Sequence, residues 1–307
     1  MNKKLKTYII HYKQVFEDVN IPEKGVKLEE YLNGGRQDIL ENFDIFCENV
    51  RSSKTKNKNF ELFDIVDKVD SNTIIVVGLY LELLEFWGQR DYIKKVCNYY
   101  CSKYQNNKVI VTWNHDTKAS QVFNFMDECK NLYVLNFNTD KKHERHILLP
   151  FWTIDDNHLI EEKKYLTNLV CEFNNQIRRN LRASLSGKPN ILISERIDFD
   201  LYRKTLSESS FTLCPKGLGL SSYRFFESFH LNTIPVLFAD DVVLPYEDDI
   251  DYNKIIIRIP ENKSTNGEYI LDLLNSVNQK EMLLNIKNTR EMFTLKGVQN
   301  KIYRTLI

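Results

Sequence analysis

The sequence lacks the features that mark several large protein classes. Among its 307 residues are 10 glycines, 7 prolines and 6 cysteines, which indicates neither a fibrous nor a disulfide-rich chain. No run approaches the roughly 18 apolar residues that a membrane-spanning helix needs, and the longest, residues 73–80, has the length of a strand. The 42 basic and 42 acidic residues leave no net charge, so we expect no dedicated nucleic-acid binder.

The amino terminus shows no targeting signal. Its basic start is followed by a short apolar stretch, residues 8–10, which His11 and Lys13 interrupt. That stretch is too short for the apolar core of a signal peptide, so we expect a cytoplasmic protein without a membrane anchor, with peripheral membrane contact left open. In a reducing compartment the scattered cysteines are expected to be buried free thiols.

From residue 72 onward, short β-branched runs alternate with helix-length amphipathic segments. Strands of about five residues separated by helices of ten or more are typical of βαβ units and a parallel sheet. The first series of predicted strands comprises residues 73–77, 108–113 and 132–135, with helices over 81–104 and 120–130. A second series comprises strands over 166–173, 190–194, 211–214, 234–238 and 254–259, with helices over 176–185, 200–208 and 222–231.

Two consecutive units of this kind predict an α/β fold of two Rossmann-like domains that face each other across a cleft. Pro150 interrupts the apolar segment 146–152, which suits a sheet edge, and we place the domain boundary directly after it. The predicted domains are therefore 1–153 and 154–307. Residues 268–306 have apolar side chains at helical spacing, which predicts helices at the carboxyl terminus of the chain.

Residues 210–239 carry the clearest functional pattern. A predicted strand ends at Cys214, and a loop of small residues leads from it into the next helix. Such a loop presents free N–H donors and the positive end of a helix dipole, which is the environment that a diphosphate needs. The candidate diphosphate ligands are Lys216, Gly217, Ser221, Ser222 and Arg224.

Glu227 follows Arg224 by one helical turn and shares its helix face, where its carboxylate can accept hydrogen bonds from a ribose diol. A surface salt bridge between the two side chains is the alternative. Asn232 comes between this helix and the next strand, a position that usually takes a left-handed backbone, which asparagine tolerates.

The same residues resemble the exostosin family of glycosyltransferases. The resemblance rests on Tyr202, the run FTLCPKG at 211–217, Ser222, Arg224, Glu227, IPV at 234–236, LPY at 244–246, IDY at 250–252 and RIPE at 258–261. With Ser222, Arg224 and Glu227 taken together as one helix motif, these are seven short landmarks in one order, which are more specific than a single glycine motif. A weaker collinear similarity extends the resemblance to about residues 105–265.

The resemblance implies a GT-B fold and inverting transfer of a sugar from a nucleotide-diphosphate sugar, usually a UDP sugar, to a hydroxyl of a glycan acceptor. The carboxyl-terminal domain would bind the donor, and one or both of Arg178 and Arg179 would assist the residues above in stabilising the departing diphosphate. The amino-terminal domain would hold the acceptor. Its catalytic base is expected to be Asp116 or His115, directly after a strand, although Asp116 also suits the cap of the next helix.

Two D-x-D sequences, Asp198 to Asp200 and Asp249 to Asp251, have the spacing that binds a divalent metal in the other major glycosyltransferase fold. A helix cap and an acidic turn explain them better, so we expect no metal and no cofactor. Two alternatives stay open. One is a GT-B transferase of another family, such as a fucosyltransferase using a GDP sugar, and the other is a catalytically silent domain that binds glycan or scaffolds a partner.

Overall fold

The computed structural model describes residues 4–22, 63–79, 81–113, 117–137, 139–151, 162–195, 197–217, 219–220 and 222–307. The chain divides into two units, Met1–Leu149 with Gln299–Ile307, and Pro150–Val298. The sequence placed one boundary after residue 153 and left the chain end with the second domain. In the structure the chain end groups with the first unit, where Lys108 Nζ donates to the Leu306 carbonyl at 2.6 Å.

The first unit contains a six-stranded sheet in the order β2-β1-β3-β4-β5-β6, in which every neighbouring pair is parallel. Its strands are β1 (Leu5–His11), β2 (Phe63–Ile65), β3 (Ile74–Gly78), β4 (Val109–Trp113), β5 (Leu132–Asn136) and β6 (His146–Leu148). Its helices are α1 (Tyr12–Val19), α2 (Leu81–Phe86), α3 (Asp91–Lys103) and α4 (Ala119–Val122). The carboxyl ends of parallel strands lie along one edge of a sheet, which is where such folds bind ligands.

Two helices of this unit differ from the prediction. The helix expected over 81–104 is divided into α2 and α3, because Gly88 between them has a φ of 67° that ends the first helix. The helix expected over 120–130 ends at Val122 and is followed by a short 3-10 turn, Met126–Glu128. The amphipathic spacing therefore identified buried faces correctly but overestimated helix length.

His146 in β6 is partly buried, and both of its ring nitrogens are shielded from solvent, which is unusual for a titratable residue. Neither ring nitrogen has a hydrogen-bond partner among the residues that the structure describes. The ring centroid lies 6.5 Å from that of Phe123 and 5.2 Å from that of His143. Burial, assisted by the charges of His143 and Arg145, lowers the pKa of His146 to about 4.

This burial predicts a pH dependence of stability. The unfolded chain binds a proton at His146 near the ordinary pKa of about 6.5, whereas the folded chain does not. Stability is therefore lost as pH falls from about 6.5 to about 4, by up to roughly 3 kcal/mol, and this contribution levels off below. Urea unfolding at several pH values gives the free energy of unfolding of His146→Phe and of the parent chain. As pH falls through this range, the value for the parent chain should fall relative to the value for the variant.

The exposed His11 at the end of β1 supplies the matched control. His11→Phe should keep the pH dependence of the parent chain, because it leaves the shielded ring of His146 in place. Equal pH profiles for His146→Phe and the parent chain would contradict the burial effect.

The second unit contains a five-stranded parallel sheet in the order β11-β10-β9-β7-β8. Its strands are β7 (Tyr165–Val170), β8 (Ile191–Ser194), β9 (Ser209–Pro215), β10 (Ile234–Phe238) and β11 (Ile257–Arg258). Its helices are α5 (Gln176–Leu185), α6 (Phe199–Ser207), α7 (Tyr223–His230), α8 (Gly267–Ser276) and α9 (Gln279–Thr289). The last helix, α10 (Leu295–Leu306), begins in this unit and continues into the segment that groups with the first unit. The predicted α/β fold with two parallel sheets and terminal helices is confirmed.

The core of the second unit is rich in aromatic side chains. Phe225 and Phe229 lie on the buried face of α7, and the Phe229 ring stacks on that of Phe293 at 4.3 Å with an interplanar angle of 7°. Asn232 has a φ of 53°, which confirms the predicted left-handed turn between α7 and β10. This packing fixes α7 against β9 and β10 and thereby fixes the position of its first turn.

The five cysteines in the described part of the chain are free and buried, as expected, and Cys47 lies outside it. They are Cys97, Cys101, Cys129, Cys171 and Cys214. No helix in the described ranges combines the length and the apolar character that crossing a membrane requires.

Candidate functional site

The candidate site lies at the carboxyl ends of β7 and β9, where α5 and α7 begin. Strand β9 ends at Pro215, and the loop that follows leads to α7. Strand β7 is the neighbour of β9, and its continuation leads to α5. Two helix amino termini therefore follow two adjacent parallel strands at one edge of the sheet, an arrangement that concentrates N–H donors and positive potential.

Asn175 connects the two helix starts. As the N-cap of α5, its side-chain oxygen accepts from the Arg178 N–H at 3.0 Å. Its Nδ2 donates to the carbonyls of Lys216 at 2.9 Å and Gly217 at 3.3 Å. One side chain thus caps α5 and also holds the loop that follows β9.

Arg178 lies on the buried side of α5, with 9% of its surface exposed. Its Nε donates to the Lys216 carbonyl at 3.2 Å, and its Nη1 donates to the Glu172 carbonyl at 3.0 Å and to Asn174 Oδ1 at 3.2 Å. Burial lowers the pKa of this guanidinium, and the positive charge of Arg224 lowers it further. The two predicted arginine ligands are therefore close enough to repel each other.

Arg224, in the first turn of α7, is the most unusual polar residue of the site. It is 8% exposed, and its Nη2 donates to the carbonyl of Val170 at the end of β7. Its Nε and Nη1 are buried and have no hydrogen-bond partner within the described ranges. Burial opposes its charge, but Tyr202 and the other acidic groups around it keep its pKa above the ordinary value. The site thus contains a charged guanidinium with unused donors.

The start of α7 has further unused hydrogen-bonding capacity. Ser222 is the N-cap residue in extended conformation, but its hydroxyl makes no capping bond and is buried without a partner in the part of the chain that is described. Gly217 lies half-buried in the same loop, close to the α5 cap. Ser221 lies outside the described residues. Ser222, Gly217, Arg224 and Arg178, four of the residues predicted to bind the diphosphate, thus lie at or next to the starts of α5 and α7.

Lys216 belongs to the same loop, but its ammonium group is occupied. Nζ lies 2.7 Å from each carboxylate oxygen of Glu261, which follows β11. Glu261 Oε1 also accepts from the Asp240 N–H at 3.2 Å. A phosphate group can recruit the Lys216 charge only in competition with this carboxylate.

Arg179 points elsewhere. It is exposed, and its Nη1 donates to the Phe173 carbonyl at 3.4 Å while its Nη2 donates to Gln176 Oε1 at 3.2 Å. Successive residues of a helix lie about 100° apart, so Arg178 and Arg179 cannot share one environment. Of Arg178 and Arg179, Arg178 is therefore the one that lies in the buried environment near Arg224.

Glu227 is buried at 7% exposure and accepts a hydrogen bond from the Tyr202 hydroxyl through Oε2. The alternative prediction, an exposed salt bridge between Glu227 and Arg224, is wrong. Both side chains are buried, and no ion pair within 4.0 Å joins them among the described residues. Arg224 instead bonds to the backbone of β7, and Glu227 to a side chain of α6.

The remaining predicted residues either lie apart from this cluster or fall outside the part of the chain that the structure describes. His115 and Asp116 are not among the described residues, although β4, which they follow, ends at Trp113 as expected. Asp198 caps α6, accepting from the Asp200 N–H at 2.9 Å, as predicted. Asp251 accepts from the Asn253 N–H at 3.2 Å in a 3-10 turn. In the described ranges no group of three or more His, Cys, Asp or Glu side chains is arranged for a metal ion.

Asn175 and Glu261 are site residues that the sequence pattern did not single out for a role. For Asn175 a signal existed, because asparagine directly before a predicted helix is an N-cap pattern. Glu261 reaches Lys216 from 45 residues away, and no local pattern encodes that contact.

Residues 123–274 match the Exostosin GT47 domain, which confirms the family resemblance. The Exostosin-1 homolog of Caenorhabditis elegans is 29% identical over 98 residues, 32% of this chain and 25% of that protein. A probable glucuronosyltransferase of Oryza sativa subsp. japonica is 35% identical over 92 residues, 30% of this chain and 22% of that protein. The chain spans about a quarter of the length of these curated relatives.

Among solved structures, the pneumococcal O-GlcNAc transferase GtfA in complex with UDP and GlcNAc is similar to this chain with a TM-score of 0.47 and 11% identity. The similarity covers 78% of this chain and 57% of that one.

Proposed function

Because the chain carries an exostosin GT47 domain over residues 123–274, we propose that it is an inverting glycosyltransferase. Its donor is a nucleotide-diphosphate sugar, a UDP sugar as the family resemblance implies, and its acceptor is a hydroxyl of a glycan. The observation that carries this proposal is Arg224, a buried guanidinium with two unpartnered nitrogens at the start of α7. Burying unused donors is costly, and a diphosphate that accepts from them removes that cost.

In the proposed reaction, the acceptor oxygen forms a bond to the anomeric carbon while the bond from that carbon to the phosphate oxygen breaks. Negative charge develops on the departing diphosphate, and Arg178, Arg224 and the amino termini of α5 and α7 stabilise it. These fixed positive groups do the work for which other transferases use a divalent cation, so we propose that the transfer needs no metal. The acceptor proton goes to Asp116 or His115, after β4 of the first unit.

Nucleotide binding tests the proposal directly. Titration with UDP, GDP and CDP, each with Mn²⁺ and with a chelator, should raise the melting temperature for UDP alone and equally in both conditions, because a ligand of the folded state stabilises it. A rise of several degrees is expected at about 100 times the Kd, which corresponds to about 2.7 kcal/mol.

The other outcomes separate the alternatives. A response selective for GDP would replace the donor assignment, and a response that requires Mn²⁺ would refute metal independence. No response to any nucleotide would refute the enzyme and favour a silent glycan-binding domain. A positive result leads to a screen for hydrolysis of UDP sugars.

A further inference from the structure

Tyr202 links α6 to the helix that carries Arg224. Its hydroxyl donates to Glu227 Oε2, and both side chains are buried, at 5% and 7% exposure. The ring of Tyr202 is itself fixed, because it packs with Val170, Leu206 and Leu231 in a small apolar cluster. The phenol therefore holds one oxygen of the carboxylate from a rigid support.

Arg224 does not fix the Glu227 carboxylate as the Tyr202 hydroxyl does. Arg224 lies near enough for the charge of Glu227 to raise its pKa, but the described residues include no ion pair between the two. A buried carboxylate needs hydrogen-bond donors, and a bond from a hydroxyl to a charged acceptor is among the strong ones. The Tyr202 hydroxyl is the donor from which the carboxylate takes its orientation.

The spacing along α7 relates this pair to the nucleotide. Glu227 lies three residues after Arg224, about 4.5 Å further along the helix axis and on the same face. A nucleotide whose diphosphate reaches Arg224 therefore has its ribose near Glu227. A carboxylate with one oxygen fixed can offer the other oxygen to the hydroxyls of a vicinal diol.

We propose that Tyr202 is a positioning residue for ribose recognition, which holds the Glu227 carboxylate so that it accepts hydrogen bonds from the ribose diol. This inference rests on the proposed function, since it requires a nucleotide donor. In this role Tyr202 does not contact the reacting atoms, and its hydroxyl influences which nucleotides bind.

The test compares UDP with 2′,3′-dideoxyuridine diphosphate, which lacks both ribose hydroxyls, by calorimetric titration. The parent chain should bind UDP at least about tenfold more tightly than the dideoxy compound. Tyr202→Phe keeps the ring and removes the hydroxyl, and its preference for UDP should fall to about threefold or less. Its affinity for the dideoxy compound should change less than about twofold, since that ligand has no diol to recognise.

Tyr252→Phe is the matched control, because the Tyr252 hydroxyl is also buried and donates to a carbonyl, that of Pro245, at 2.6 Å. It should lose comparable stability and keep the preference for UDP. Glu227→Gln is the second variant if Tyr202→Phe does not fold, and it should lose the preference as well.

Each outcome has one meaning. An unchanged preference in Tyr202→Phe, with UDP still bound, overturns the positioning role and leaves the proposed function intact. Equal loss of preference in Tyr202→Phe and Tyr252→Phe also overturns it, because the effect would then follow from stability. No UDP binding by the parent chain overturns both proposals.

Discussion

Replacement of Arg224 by methionine is expected to lower the affinity for UDP about 100-fold, which corresponds to about 2.7 kcal/mol. Two nitrogens of this guanidinium are buried without partners, so the diphosphate can take up donors that no other described group uses. Hydrogen bonds between ionised groups contribute about 1.5–3 kcal/mol, and a bidentate pair makes two of them. Calorimetric titration with UDP, well below the melting temperature of the variant, measures the loss.

Arg179→Met is the matched control for Arg224→Met. It removes the same charge from the same unit, but the Arg179 side chain is exposed and bonds to Phe173 and Gln176 outside the cluster. Its UDP affinity should change less than about twofold, since exposed charges at a distance are screened.

Arg224→Lys distinguishes the effect of the positive charge from that of the guanidinium geometry. It also provides a second variant if Arg224→Met does not fold. Lysine keeps the positive charge but not the planar fork, so its affinity for UDP should fall about tenfold. Parent-like affinity in Arg224→Met, or equal losses in Arg224→Met and Arg179→Met, would contradict the assigned role.

The secondary structure of the second unit was predictable because its local signals agree with one another. Helix α5 and strand β10 have the predicted bounds, Gln176–Leu185 and Ile234–Phe238. Asn175 caps the helix, and the left-handed Asn232 precedes the strand, so side-chain chemistry marks the start of each element. Strand β11 was overestimated, because two of the six predicted residues, Ile257 and Arg258, pair with β10.

The first unit was less predictable. Strand β1 lies inside the sheet, between β2 and β3, yet its sequence LKTYIIH mixes polar and apolar residues. Its buried threonine, Thr7, satisfies its hydroxyl locally by donating to the Leu5 carbonyl at 2.9 Å. A polar side chain that is satisfied within its own strand breaks the apolar pattern without preventing burial, and so the strand was missed.

The sequence identified the loop and helix of the candidate site, but not which cations are available there. Adjacent arginines such as Arg178 and Arg179 look equivalent in sequence. The residue at which the helix begins, which the Asn175 cap determines, decides which of the two faces inward. Lys216 looked available because its partner Glu261 is distant in the chain. Local chemistry therefore indicated a candidate site, and contacts between distant residues determine which of its charged groups are already paired.

Near pH 7, the substitution with the largest expected effect on stability is at Lys163, at the opposite end of β7 from the candidate site. Its ammonium group donates to three carbonyls, those of Ser207 at 2.7 Å, Ser209 at 2.9 Å and Asn232 at 2.5 Å. Burial lowers the pKa of Lys163 to about 8, so the ammonium form predominates near pH 7. One side chain thus satisfies backbone acceptors at the end of α6, the start of β9 and the turn before β10.

Lys163→Met fills a similar volume but leaves these three carbonyls without their shared donor. Each unsatisfied buried acceptor costs about 1 kcal/mol or more, so the free energy of unfolding near pH 7 should fall by roughly 3 kcal/mol. Lys164→Met is the control, since Lys164 is half-exposed and pairs with Glu208, to which Lys204 also lies close. It should cost less than half as much by urea unfolding, because the Lys164 ammonium group is solvated and Lys204 stays close to the buried Glu208 carboxylate. Equal losses in both variants would refute the role of Lys163.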